Sequence, residues 1–118
     1  MPDFFDVNLQ QLPDHYLTGN WRVADRVLNR TDPNSALAQA TTLRLSDVTL
    51  EVQTVDEVEQ GRWQIQRDEL LRRPYLELQL AQETTRALIT RLRRSTDGLR
   101  SQLTLYFMSG MELLLLQP

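Results

Sequence analysis

Alternation of apolar and polar residues near the C-terminus is the feature that most constrains the fold of this chain. Leu103, Leu105 and Phe107 alternate with polar or amphipathic neighbours. Leu113 and Leu115 resume the same period after a Met-Ser-Gly break. A period of two places every second side chain on one face of a strand, and a glycine in the break suits a tight reversal. The pattern therefore predicts an antiparallel hairpin with one face in a core.

Shorter segments with the same alternation extend back to Trp21, where Val23 and Val27 continue the apolar side of a first strand. Residues 29–35 form a dense cluster of turn-forming residues that would end this strand. The alternation changes phase at residues 46–47, which predicts either a tight hairpin or a bulge within one long strand. We expect an all-β protein, an antiparallel up-and-down meander of about 7–8 strands that forms a barrel or a sandwich.

Residues 84–94 are ambiguous between two structures. A strand with Leu88 and Leu92 directed inward fits the β-branched residues and the strands predicted on either side. Two turns of helix also fit the spacing of the apolar residues. We expect the strand.

The length of 118 residues predicts one domain that spans residues 1–118. Residues 1–19 would form an N-terminal segment, and residues 20–117 the meander. Pro13 suits the first position of a short helical turn through Asp14–Tyr16, which Gly19 would end.

Composition excludes several classes of protein. The chain is 41% hydrophobic and 25% charged, which is typical of a soluble globular protein. It contains no apolar stretch of about 18 residues that could span a membrane. Residues 1–6 lack the basic and apolar regions of a signal peptide, so a cytoplasmic location is expected. A net charge of −3 argues against a nucleic-acid-binding protein.

The residues that commonly perform catalysis are nearly missing. The chain has no cysteine and no lysine, and His15 is its only histidine. A thiol nucleophile, a Schiff base and a site with several histidine ligands are thereby excluded. The densest group of carboxylates, Asp56, Glu57 and Glu59, falls in an apparent turn and fits a solvated loop. We expect no enzymatic activity, no catalytic residues, no bound metal and no cofactor.

The segment Gly19-Asn20-Trp21 follows the expected helical turn and precedes the first strand. It resembles the opening Gly-x-Trp of lipocalins and their calycin relatives. The same Gly-x-Trp pattern occurs again at Gly61-Arg62-Trp63. This resemblance implies a small barrel whose closed end is plugged by Trp21. Avidin-type barrels open similarly, but the chain lacks their further tryptophans, so no biotin site is implied. Bilin lyases of the lipocalin type also carry a Phe-Phe pair shortly before the motif, like Phe4-Phe5.

Two groups of residues are candidates for binding. The first would line a barrel interior or plug its end: Trp21, Trp63 and Phe107. The second group would lie on the outer face of the barrel. If Leu113 and Leu115 face inward, Leu114 and Leu116 must face outward, and apolar side chains on an outer face need a cover. Residues 3–17, a second copy or another protein could supply it. With the nearby arginines, the candidates for partner binding are Arg86, Arg91, Arg93, Arg94, Tyr106, Met108, Leu114 and Leu116.

These observations favour a non-enzymatic accessory or assembly module that binds a protein partner, or itself, through the apolar C-terminal hairpin and the adjacent arginines. The alternative is a lipocalin-like carrier or chaperone of a small hydrophobic ligand, with a bilin-lyase-like role as one form of it. A carrier requires an internal cavity of about 300 Å³ or more, whereas an interaction module can have a filled core.

Overall fold

The structure is a computed structural model that describes residues 3–29, 33–81 and 83–117. Two short 3₁₀ helices, Leu9–Gln11 and Asp14–Tyr16, lie near the N-terminus. The described part contains nine strands: β1 Phe4–Asp6, β2 Gly19–Val27, β3 Thr42–Ser46, β4 Thr49–Gln53, β5 Val58–Arg67, β6 Pro74–Leu80, β7 Thr84–Ser95, β8 Ser101–Phe107 and β9 Glu112–Gln117.

All nine strands belong to one antiparallel sheet, in which β2 to β9 close into a barrel of eight strands. Each of these strands pairs with the next along the chain, and β9 pairs with β2 to complete the ring. The predicted all-β meander is confirmed, and it closes as a barrel. Closure satisfies the hydrogen-bonding groups that a sandwich would leave at strand edges.

The phase change near residue 46 is a tight hairpin. Ser46 pairs with Thr49, so the chain reverses through the two residues between them. The predicted turn cluster at residues 29–35 lies between β2 and β3, although residues 30–32 lie outside the described part of the chain.

A β-bulge in β2 changes which residues of that strand face the core. The pairing with β9 shifts between Val23 and Asp25, so one extra residue is inserted into β2. Val27, predicted on the apolar side, is consequently 46% exposed. Arg26 takes the inward side and donates hydrogen bonds to the carbonyl oxygens of Ala38 and Ala40.

A second bulge decides the orientation of side chains in β7. The prediction of a strand over residues 84–94 is confirmed, but its pairing with β8 shifts between Ile89 and Arg91. Ala87 and Ile89 are buried before the bulge, and Leu92 is buried after it. The prediction that Leu88 faces inward is therefore wrong: its side chain lies on the outer surface and is only partly buried.

The core consists of the inward side chains of the barrel and of segments that cover its two ends. At one end, Leu12 and Leu17 are buried beside Trp21, which is 0% exposed. At the other end, Leu37 and Ala40, from the connection between β2 and β3, are buried against the same core. Both ends of the barrel are thus covered by apolar side chains.

The N-terminal segment runs from β1 to the start of β2. The predicted helical turn is the 3₁₀ helix Asp14–Tyr16, and Gly19 follows it with a φ of +119°. The segment also contributes β1, which pairs with the C-terminal part of β7. The N–H of Val7 then donates to the carbonyl oxygen of Leu92 at 2.8 Å.

The predicted C-terminal hairpin is formed by β8 and β9. Leu113 and Leu115 are each 1% exposed and face the core, so Leu114 and Leu116 lie on the outer face, where both are partly buried. Gly110 has a φ of +100° in the connecting turn, a conformation that glycine adopts at little cost.

Candidate functional site: an apolar cleft on the outer surface

The three residues predicted to line or plug the barrel are all buried in it. Trp21 donates its indole N–H to the carbonyl oxygen of Leu17 at 2.8 Å. Trp63 donates to the carbonyl oxygen of Ser46 at 2.6 Å, and Phe107 is 1% exposed. Each indole N–H therefore has a hydrogen-bond acceptor. For Trp21 the acceptor lies just before β2, and for Trp63 it lies at the hairpin between β3 and β4. The sequence prediction that these residues belong to a binding cavity stays a prediction.

The inward positions of the barrel are occupied by tightly buried apolar side chains. Leu43, Leu78 and Leu105, from three different strands, are each at most 2% exposed. Clefts of about 360 and 440 Å³ are lined mainly by outward-facing polar residues, which places them on the outer surface.

Three of the predicted partner-binding arginines contact the N-terminal segment. Arg91 forms a two-pronged ion pair with Asp6, with its Nε 2.8 Å from Oδ1 and its Nη2 3.4 Å from Oδ2. The guanidinium of Arg93 lies 5.6 Å from the centre of the Phe4 ring, and that of Arg94 lies 4.2 Å from the centre of the Tyr16 ring. These arginines hold β1 and the second 3₁₀ helix against β7.

The ion pair affects the titration of both partners. The hydrogen bond from Arg91 is the main cause of a lowered pKa for Asp6, and Arg93 adds to it. The same contact raises the pKa of Arg91. Asp6 is thus kept charged while β1 is in place.

Leu114 and Leu116 lie on the outer face of β9, in the same cross-strand rows as Arg91 and Arg93 and separated from them by β8. Leu116 pairs with Arg22 on one side and Gln102 on the other. It shares a surface cleft of about 380 Å³ with Phe4 and Arg22. Phe4 thus brings part of the N-terminal segment toward the apolar outer face, as one of the predicted covers would.

The remaining predicted residues, Arg86, Tyr106 and Met108, meet at a different place. Tyr75 of β6 pairs with Leu88 of β7, and Leu88 pairs with Tyr106 of β8. These three side chains form one row across the outside of three strands. We call the resulting depression, of about 280 Å³, the outer cleft; it is lined by Asp68, Tyr75, Arg86, Leu88, Tyr106, Phe107 and Met108.

The outer cleft is apolar and open to solvent. Tyr106 is 44% exposed and Met108 is 77% exposed. Exposed apolar groups that adjoin one another in a depression are typical of surfaces that bind another molecule, whereas isolated ones are common everywhere. The row of Tyr75, Leu88 and Tyr106 is therefore a candidate binding surface.

The charges at the rim of the outer cleft are not balanced. The guanidinium of Arg86 lies 5.5 Å from the centre of the Tyr75 ring, and no carboxylate of the described residues lies within ion-pair distance of it. Asp68 is engaged differently: hydrogen bonds from the backbone N–H groups of Leu71, Arg73 and Arg72 lower its pKa, and Arg73 pairs with it at 3.6 Å. The cleft therefore presents a cation that is free to pair with an anionic group.

Sequence reasoning missed three residues of this cleft, namely Asp68, Tyr75 and Leu88. Tyr75 precedes the buried Leu76 and Leu78 in an alternating strand, so its outward direction was readable from the period. Leu88 was assigned to the core, because nothing in the sequence indicates the bulge that turns it outward.

The residues considered for catalysis are not brought together. His15 is exposed in the second 3₁₀ helix, with its ring centre 4.9 Å from that of Tyr16. Within residues 3–29, 33–81 and 83–117, no group of three or more His, Asp or Glu residues is arranged to hold a metal ion. The helices in that part of the chain are too short to cross a membrane.

Fold and surface together define an antiparallel β-barrel with a filled interior and an apolar cleft on its outside. Comparison of the chain with models of protein families, with curated proteins and with solved structures gave no match.

Proposed function

We propose that this protein is a non-enzymatic module that binds a protein partner through the outer cleft. The observation that carries the proposal is the row of Tyr75, Leu88 and Tyr106, extended by Met108 and flanked by Arg86, which has no carboxylate partner among the described residues. Aromatic, methionine and arginine side chains are the residues enriched at protein interfaces. The C-terminal hairpin contributes Tyr106 and Met108 to this surface.

The packed interior favours partner binding over the alternative role as a carrier of a small hydrophobic ligand. A carrier needs empty space among its inward side chains, and the inward leucines of this barrel are nearly inaccessible. Titration of the protein with fatty acids, retinoids and linear tetrapyrroles, followed by tryptophan fluorescence, tests the alternative. We expect no saturable change, since both tryptophans are already packed; a saturable change would favour the carrier.

We also propose that the barrel is lipocalin-like. Three features support this: the eight-stranded meander, the 3₁₀ helix before β2, and the buried Trp21 that follows Gly19. This assignment concerns architecture and brings no ligand with it.

Affinity capture with matched variants tests the proposed binding surface. The cleft variant combines Tyr106→Ser with Met108→Asp, and the control combines Val55→Asp with Leu99→Asp. All four side chains are substantially exposed, and the control pair lies outside the cleft, so the variants should fold alike.

Each protein would be tagged and recovered from native lysate, and retained proteins quantified by mass spectrometry. We expect a partner retained by the wild type and by the control to be lost from the cleft variant. Equal retention by all three proteins would contradict a role for the outer cleft.

A further inference from the structure

The loop between β5 and β6 presents two adjacent leucines to solvent. Leu70 is 93% exposed and Leu71 is 59% exposed. Exposed single leucines are common, but a consecutive pair at the tip of a loop presents a compact apolar group that none of the described residues covers.

The loop is held in this conformation by its own hydrogen bonds. The carboxylate of Asp68 accepts from the N–H groups of Leu71 at 2.5 Å and Arg72 at 3.0 Å. Arg67 donates to the carbonyl oxygens of Leu9 and Arg72, both at 3.0 Å, which ties the loop to the N-terminal segment. The leucine pair is thus displayed on an ordered loop, and less conformational entropy is lost when such a loop binds.

The leucine pair and the outer cleft are complementary in chemistry. Leu70 follows the exposed Glu69, so the tip offers a carboxylate directly beside an apolar side chain. The outer cleft offers an apolar row beside Arg86, whose guanidinium has no carboxylate of the described residues within ion-pair distance. The two surfaces also adjoin, since Asp68 belongs to the loop and lines the cleft.

We propose that the occupant of the outer cleft is the β5–β6 loop of a second copy of this chain. Leu70 of each copy packs on the row of Tyr75, Leu88 and Tyr106 of the other, and Glu69 pairs with Arg86. Because the loop and the cleft are neighbours on one surface, a twofold axis between them forms both contacts at once, and the dimer is closed. This inference rests on the proposed function and specifies the partner for that site.

The acidic residues at the tip favour a protein surface over a lipid surface. Arg72 and Arg73 could attract anionic headgroups, but Arg73 already pairs with Asp68, and Glu69 stands beside the leucines. A small interface of this kind predicts a weak dimer, with a Kd of about 10 µM to 1 mM.

Charge reversal at the two ends of the proposed ion pair tests the dimer. We expect Arg86→Glu and Glu69→Arg each to raise the Kd about tenfold or more, since each homodimer then contains two like-charge contacts. A mixture of the two variants restores opposite charges at both contacts. Its heterodimer should form with a Kd within about threefold of the wild type.

Sedimentation equilibrium measures these constants, and far-UV circular dichroism checks that each variant is folded. The control is Arg62→Glu, a reversal of an exposed arginine outside the cleft, which should leave the Kd unchanged. A wild type that stays monomeric at about 1 mM overturns the proposal. So does a mixture that remains monomeric while the wild type dimerises.

The dimer and the broader proposal fail separately. Leu70→Asp should abolish the dimer and leave the residues of the outer cleft intact. One outcome would support the cleft and contradict the dimer. In it, the wild type does not dimerise, and Leu70→Asp still retains a heterologous partner that the Tyr106/Met108 variant loses. The cleft would then bind another protein. A lipid surface as the partner would also contradict the dimer. The wild type would then stay monomeric and bind vesicles of phosphatidylserine, and Leu70→Asp would not bind them.

Discussion

Replacement of Trp21 by phenylalanine tests whether this residue plugs the barrel. The indole is 0% exposed, and its N–H donates to the carbonyl oxygen of Leu17, a residue that is also 0% exposed. Phenylalanine keeps an aromatic ring in the core but removes the donor. The carbonyl would be left buried without this partner.

The expected cost has two contributions. Leaving a buried carbonyl without its donor costs about 1–3 kcal/mol. The smaller ring leaves a gap that adds about 1 kcal/mol. We therefore expect Trp21→Phe to lower the free energy of unfolding by about 2–4 kcal/mol. Trp21→Ala would lose about 3–5 kcal/mol from truncation alone, a large part of the stability of a domain this size, so phenylalanine is the better probe.

Trp63→Phe is the matched control. Trp63 also donates to a carbonyl oxygen, at 2.6 Å, but the acceptor is on Ser46 at a hairpin turn, where the residue is only partly buried. Water can replace the lost donor there, so we expect a smaller loss, of about 1–2 kcal/mol. Urea unfolding, followed by the fluorescence of the one remaining tryptophan, measures both. A loss below about 1 kcal/mol for Trp21→Phe, or equal losses for the two variants, would refute the plug.

Three further changes have defined outcomes. Gly61→Ala should destabilise the barrel by about 3 kcal/mol in urea unfolding, because an added Cβ would lie 1.9 Å from the backbone oxygen of Gln79; wild-type stability would show that the two strands can separate there. Arg26→Met should lower stability by about 2 kcal/mol, because two loop carbonyl oxygens lose their donors; an unchanged midpoint would mean that water replaces them. Asp6→Asn should lower the protection factors of the β1 amides against hydrogen exchange, and the protection factors of the wild type should fall in acid. The pKa of Asp6 is lowered by Arg91, so its contribution is complete above the ordinary carboxyl pKa of about 4 and is lost as the pH falls through the lowered value; protection factors that do not change with pH would exclude this role.

Local alternation was sufficient to predict the strands and the inward residues of the C-terminal hairpin. Leu103, Leu105, Leu113 and Leu115 are all buried, because a strand places every second side chain on the same face wherever it lies. The short helical turn was also readable, since Pro13 and Gly19 bound it by their backbone preferences. The burial of Trp21 was expected from its place on the apolar side of the first strand and from the resemblance to lipocalins.

The two bulges were decided by the tertiary structure. Each inserts one residue where the pairing of neighbouring strands shifts, and such a shift depends on how all eight strands close the barrel. As a result, Leu88 faces outward and Arg26 faces inward, contrary to the alternation around them. Leu88, one of the three residues of the apolar row in the candidate site, was therefore hidden from any local pattern.

The division of the arginines also required the folded chain. The sequence placed Arg86, Arg91, Arg93 and Arg94 in one candidate surface, because they lie close together along the chain. Pairing of β1 with β7, between residues about ninety positions apart, brings Asp6 to Arg91, whereas Arg86 has no ion-pair partner in the part of the chain that the structure describes. The alternation of apolar and polar residues determined the strands and most of the core. Contacts between distant segments decided which outward residues remain available to bind, because only closure of the barrel specifies the neighbours of those residues.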